Sequence, residues 1–161
     1  DLMQRNGSEN IHVLHEELSD VLIKHVTVKR NNRDLTKAIE AIKEIRERYQ
    51  NICLDDKGSC LNQTYVFANQ FSYMLEIALV ITKGALLRDE FRGAHYKPEC
   101  PHRDDKNWLK TTIAAYQNTE PEISYKPVDL RYLKPIERDY SKAKKAIPEF
   151  ENVPTNIVLP L

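Results

Sequence analysis

"LTKAIEAIKEIRERY", Leu35 to Tyr49, decides the fold class. Leu35, Ala38, Ile39, Ile42, Ile45 and Tyr49 recur at intervals of three and four, while Lys37, Glu40, Lys43, Glu44, Arg46 and Glu47 fill the remaining positions. At about 3.6 residues per turn, the first set forms one side of a helix and the second set the other. Such a helix needs partners for its apolar stripe. Upstream, Ser8 precedes Ile11, Leu14, Leu18, Val21, Leu22 and His25, a spacing that predicts a first helix over 8–25. Downstream, "LDDKGSC" supplies a turn, and a run from Leu61 to Leu87 carries Tyr65, Ala68, Phe71, Met74, Leu75, Ala78, Leu79 and Ile81. This third helix is apolar over more than one face, so it is either the central element or packs against something outside the chain. Asp34 is placed to cap the second helix and Asn62 to start the third.

Beyond Arg92 the texture changes. Seven of the eight prolines fall at or after Pro101, and Pro98 is the other, which excludes long helices there because proline lacks the N–H and crowds the preceding turn. "TTIAAYQ" and "EISYKPV" flank "NTEP", a pattern that predicts a short β hairpin. The expected fold is therefore mainly α: a three-helix bundle over 1–92, then a proline-rich crossing and short β hairpin of the same domain over 93–140. An extended C-terminal tail is expected over 141–161. A chain of 161 residues is one domain's worth.

Twenty-four basic side chains balance twenty-four acidic ones, which argues against nucleic acid as a partner. The densest basic cluster, "VKRNNR" at 28–33, has no interleaved aromatics and reads as an exposed connection. Cys53, Cys60 and Cys100 contain no C-x-x-C pair and read as free thiols of a reducing compartment. "YMLEIALVITKGALL" is interrupted by Glu76 and Lys83 and is shorter than a membrane span requires; no signal peptide is expected either. None of the four glycines belongs to a dinucleotide-binding or phosphate-binding turn.

The densest chemistry lies in "RGAHYKPECPHRDDKNW", Arg92 to Trp108. His95, Cys100 and His102 are irregularly spaced and lack an obvious fourth ligand, so the stretch does not read as a zinc site. Asp104 and Asp105 are adjacent and point apart, unlike a catalytic acid and base. An aspartate just before "KNWLK" suits a helix N-cap instead, and Trp108 with Leu109 would anchor that turn. Gly93 is placed as the left-handed residue that stops the third helix. His95 reads as a hydrogen-bonded structural residue, and Arg92 and Arg103 as formers of bidentate ion pairs. The whole stretch reads as a corner.

The longer stretch "RDEFRGAHYKPECPHRDDKNWLKTTIAAY", from Arg88 to Tyr116, resembles the segment near the C-terminus of succinate dehydrogenase and fumarate reductase flavoprotein subunits. That family's pattern is E-S-R-G-A-H, an acidic and proline-containing stretch, R-D-D, and W-L-K-x-T. Glu90, offset by one, and Arg92, Gly93, Ala94, His95, Pro101, Arg103, Asp104, Asp105, Trp108, Leu109, Lys110 and Thr112 carry the match, whereas Asp89 and Phe91 stand where the family has Glu and Ser. "RYQNI" at 48–52, "GALLRDE" at 84–90 and "YKPVDLRYLKPIERDY" at 125–140 extend the likeness over roughly Gly7 to Tyr140. The resemblance implies a parent enzyme that interconverts succinate and fumarate by hydride transfer with covalently bound FAD. Its electrons would pass through an iron–sulfur subunit to a membrane quinone, with the complex peripheral on the cytoplasmic side of the inner membrane. The family's catalytic and flavin-binding motifs lie in its flavin and capping domains and are not found in this sequence. The resemblance therefore assigns this chain no catalytic, cofactor-binding or metal residue. It leaves Arg92, Gly93, His95, Arg103, Asp104, Asp105 and Trp108 as structural or interface candidates. The expected partners are the flavin domain of the same subunit, the iron–sulfur subunit and the membrane anchor. The C-terminal domain of L-aspartate oxidase, or a stand-alone helical interaction module, are the other readings.

Overall fold

The periodic segments become three helices, α1 (Ile11–His25), α2 (Asn32–Arg48) and α3 (Gln63–Leu87), in a computed structural model that describes residues 2–132 and 134–136. A single-turn helix α4 (Asp105–Trp108) and an antiparallel hairpin, β1 (Lys110–Ala115) with β2 (Glu122–Pro127), follow. The architecture is the expected one, mainly α with a short hairpin. The tail expected over 141–161 lies outside the described residues. Asp1–Val128 forms one compact unit. In the second unit, Asp129 and Arg131 form an ion pair at 2.7 Å.

The apolar stripes meet around Phe71. Leu14 and Leu18 of α1, Ile39, Ile42 and Ile45 of α2, and Ala68, Phe71, Leu75, Ala78 and Leu79 of α3 form the main core. Tyr49 and His15 approach the Phe71 ring edge-on at 6.0 and 5.9 Å. The Tyr49 hydroxyl, carried into this core, donates to the Ala68 carbonyl at 2.9 Å, so its burial leaves no unpaired polar group.

The first two helix starts differ from their sequence expectations, each for a local reason. The first helix begins at Ile11 and not at Ser8, because the preceding residues pair with the segment after α2: Glu9 N donates to Asn51 O and Cys53 N to Glu9 O, each at 3.1 Å. Asn10 is the cap that remains, accepting from the His12 N–H at 2.8 Å. At α2 the cap is Asn31 and not Asp34. The Asn31 side chain accepts from Asp34 N at 2.8 Å while Asp34 Oδ2 accepts from Asn31 Nδ2 at 2.8 Å, a reciprocal arrangement like a capping box. Asn62 does cap α3, accepting from Tyr65 N at 2.7 Å. The "VKRNNR" connection is less exposed than expected, since Arg30 folds back to donate to the Val26 and Thr27 carbonyls at 2.8 and 2.7 Å.

The third helix is central and two-sided. Its Ala68, Phe71, Leu75, Ala78, Leu79, Thr82 and Ala85 are buried. At 100° per residue the opposite side carries Val66, Tyr73 and Ile77, with Ile81 on its flank, each 50 to 60 % exposed. The expectation that this segment is too short for a bilayer is overturned on length: α3 starts ten residues before "YMLEIALVITKGALL" and, at 25 residues, is long and apolar enough to cross a membrane. Its charged residues are held within the bundle, however, Glu76 by Arg46 at 3.3 Å and Lys83 by Glu120 at 3.0 Å.

Glu120 also ties the hairpin to the bundle. Its carboxylate pairs with Lys43 of α2 as well as Lys83 of α3, and these hydrogen bonds, Lys43's first, hold its pKa down at about 2. Arg46 adds a bond from Nη2 to the Thr119 carbonyl at 2.6 Å.

Phe71→Ala should destabilise the chain by about 3 to 5 kcal/mol through transfer and cavity terms. Ile77→Ala, on the exposed side, should stay within about 0.5 kcal/mol. Urea denaturation of both variants measures the contrast, and equal losses would refute this division of α3 into core and open faces.

Candidate functional site

The corner is built outward from the buried end of α3. Leu87 is the last helical residue and Arg88 is already extended. Gly93 therefore does not stop the helix; its φ of +58° serves a tight reversal in which Arg92 and His95 exchange N–H···O bonds at 3.1 and 3.0 Å. The α3 terminus is satisfied by Lys97, whose ammonium donates to the Leu86 carbonyl and to Asp89 Oδ1, both at 2.8 Å. Lys97 is fully buried, and a cation at the negative end of a helix is favourable there.

Glu90 is the other fully buried charge among the described residues. Its Oε1 accepts from Arg88 Nη1 and from Arg92 Nε at 2.7 Å, and its Oε2 from Arg92 Nη2 at 2.9 Å and Asp104 N at 3.2 Å. Arg92 continues to Asp105 Oδ1 at 2.6 Å, and Asp105 also receives Arg103 at 2.7 and 2.6 Å. Three guanidiniums thus alternate with two carboxylates. Arg103, and then Arg92, hold the Asp105 carboxyl at about 2, while Glu90 first and Asp105 second raise the Arg92 pKa. Asp104 has a different task, accepting from Asn107 N at 3.0 Å as the cap of α4. Trp108 is half-buried between Arg88, 5.3 Å from its ring centre, and Lys110, 4.3 Å away, and meets the Tyr125 ring edge-on. Arg88 also donates to the Trp108 and Lys110 carbonyls at 3.2 and 2.8 Å, which hangs the hairpin from the corner.

His95 joins the corner to the connection between α1 and α2. Its Nε2 lies 2.8 Å from the Arg88 carbonyl and its Nδ1 2.7 Å from Arg30 Nη1. A carbonyl only accepts and a guanidinium only donates, so Nε2 carries the proton and Nδ1 presents its lone pair. This tautomer is neutral. Burial lowers the His95 pKa, aided by the charges of Arg30, Lys97 and Arg88. Backbone bonds reinforce the join, Arg30 N to Tyr96 O at 2.9 Å and Tyr96 N to Val28 O at 3.3 Å.

Arg92, His95, Arg103, Asp104, Asp105 and Trp108 are brought into one corner, with Gly93 at its tightest bend. Arg88, Glu90, Lys97 and Arg30 complete it and were not singled out as a set by the sequence. Charges flanking Glu90 on both sides in "RDEFR" were a visible signal for the first two, whereas nothing local marks Lys97 as buried. Of the two departures from the family pattern, Asp89 pairs with Lys97, and Phe91 meets the Tyr96 ring edge-on at 5.6 Å. His95 and Glu90 have their acceptor sites filled by donors from within the chain, an arrangement suited to fixing backbone rather than moving protons.

A sequence model described as the fumarate reductase flavoprotein C-terminal region matches residues 15–140. The chain belongs to this family of succinate dehydrogenase and fumarate reductase flavoprotein C-terminal domains. The succinate dehydrogenase flavoprotein subunit of Bacillus subtilis is 46 % identical over 148 residues, covering 91 % of this chain and 25 % of the relative. The fumarate reductase flavoprotein subunit of Helicobacter pylori strain J99 is 35 % identical over 152 residues, covering 91 % and 21 %. An E. coli quinol fumarate reductase FrdA chain shares the fold with a TM-score of 0.80 and 26 % identity, over 85 % of this chain and 24 % of that one. The flavoprotein domain therefore spans about a quarter of the length of these relatives.

Two outcomes test the corner. Glu90→Gln removes the buried negative charge that faces Arg88 and Arg92 and should cost about 3 kcal/mol or more, read by urea denaturation. The second concerns pH. Because the folded His95 pKa is depressed, the unfolded state takes up the proton first; His95's stabilisation is complete above about pH 6.5 and is lost as pH falls toward the folded value. His95→Gln should flatten that part of the pH–stability profile, and an unchanged profile would refute the neutral assignment.

Proposed function

We propose that this domain is a structural part of a larger flavoprotein that interconverts succinate and fumarate with FAD. The parent would pass electrons through an iron–sulfur subunit and a membrane anchor to quinone, as a peripheral complex on the cytoplasmic side of the inner membrane. Similarity over most of the chain to a succinate dehydrogenase and a fumarate reductase flavoprotein subunit supports the substrate class. The domain's own part is to pack on the flavin domain and hold the subunit's shape.

One observation carries that structural role: Val66, Tyr73, Ile77 and Ile81 form an open apolar row on α3 outside its core face. Water-facing apolar rows of this extent on a central helix mark a surface meant to be covered. The described residues do not fit FAD as a ligand. Gly93 is an isolated bend, Arg88, Arg92 and Arg103 are engaged by carboxylates, and Gly84 sits within α3 and not at a strand-to-helix turn. No step of the redox reaction is assigned to these residues. The corner's role is to fix how α3, the α1–α2 connection and the hairpin present themselves to the rest of the subunit.

The test is a paired assay of flavin absorbance and succinate-dependent dye reduction on residues 1–161 and on the complete subunit. Flavin and activity are expected in the complete subunit alone. Flavin retained by residues 1–161 would make the Arg92–Trp108 corner a candidate binding site and overturn the structural assignment.

A further inference from the structure

Arg88, Glu90, Arg92, Arg103 and Asp105 pair with one another, and Lys97 with Asp89, but Arg30 joins none of these pairs. Arg30 is half-buried, donates from Nε to the Val26 and Thr27 carbonyls, and gives Nη1 to the neutral His95 ring. All of these acceptors are uncharged. Among the described residues no carboxylate lies within ion-pair distance of Arg30, and its Nη2 has no hydrogen-bond partner. Partial burial without a counter-charge disfavours the guanidinium's charge and lowers the Arg30 pKa.

Arg30 lines a pocket of about 370 Å³ whose other cationic wall is Arg88. His95 lies between them. The remaining wall is mostly apolar, made by Val80, Ile81, Gly84 and Ala85 of α3 with Thr112 and Ala114 of β1. Ile81 belongs both to this wall and to the exposed row of α3, so the pocket opens along the surface that the docking reading requires to be covered. The charges that bear on His95 here, Arg30 and Lys97 and Arg88, are all positive. His95 is held by the Arg88 carbonyl, and its Nδ1 lone pair fixes Nη1, leaving Nη2 as the donor still open.

We propose that this pocket receives a carboxylate from an Asp or Glu of the same flavoprotein, outside residues 1–161, on a segment whose neighbouring side chains are apolar. Arg30 is the anchor for the charge, and Ile81 with Val80 covers the apolar flanks. The geometry matches what an arginine does well, a planar fork presented to a carboxylate with part of its hydrogen bonding already fixed. The proposal rests on the reading that α3 docks within a larger subunit, and adds which chemical group is captured at one end of that surface.

Carbodiimide coupling in the complete subunit tests it, because the reagent joins an amine directly to a carboxylate in contact. The Arg30→Lys variant should form an amide link from position 30 to an Asp or Glu beyond residues 1–161, identified by peptide mass spectrometry. Adding Ile77→Asp, which places a charge on the exposed row without touching the core, should abolish that link and lower the subunit's melting temperature. A link only to carboxylates within residues 1–161, or none while Ile77→Asp still lowers the melting temperature, overturns the proposal and leaves the docking reading intact. Ile77→Asp without effect on melting overturns the docking reading itself. Calorimetric titration with succinate covers the other source of a carboxylate: binding to residues 1–161 that Arg30→Gln abolishes would make the pocket a small-molecule site and overturn the assignment to a protein segment.

Discussion

The fully buried Glu90 carboxylate sets the course of the chain after α3. A charge with no water around it must be met by donors on every side, and Glu90 obtains them from Arg88 before it, Arg92 after it and the Asp104 backbone across the turn. Those three requirements fold residues 88–104 into a closed path. Arg88 then reaches on to the carbonyls that lead into β1, and Arg92 to Asp105 at the start of α4. The hairpin's position is thus a consequence of how one carboxylate is satisfied, with Glu120 clamping the far end to α2 and α3.

The helices were legible because their signal is repeated. Six apolar residues in the Leu35–Tyr49 segment report the same face, so no single exception alters the reading. Caps were less legible because several residues compete for each one. Asn31 and Asp34 satisfy each other, and the order of the pair is decided by which backbone N–H is left free. The corner was legible as a corner, through proline, glycine and paired charges, and its resemblance to a known family named the right relatives. Its inner partners were not legible. Lys97 is buried because α3 ends at Leu86 and Leu87 with carbonyls to satisfy, a fact of three-dimensional placement that "HYKPE" does not encode.

The same distinction explains Gly93. In sequence it falls after an apolar helix, where a left-handed stop is common, yet the helix is already closed by a lysine eleven residues beyond Leu86. The glycine is needed instead for the reversal that turns His95 back onto the Arg88 carbonyl. A residue type can be read correctly for its backbone conformation and wrongly for the element that uses it.

Gly7 carries a consequence of a mechanical kind. A Cβ there would lie 1.7 Å from the Asn51 carbonyl oxygen, so residues 6–9 run flush against 51–53. Arg48, at the end of α2, grips Glu9 and Glu17 together, and Lys57 holds the Met3 and Arg5 carbonyls. Tension applied to the chain ahead of Gly7 is therefore borne in parallel by α2 and the segment after it, rather than drawn along α1. The first helix is shielded from load by the strand-like entry that precedes it, and the bundle resists being unravelled from its N-terminal end.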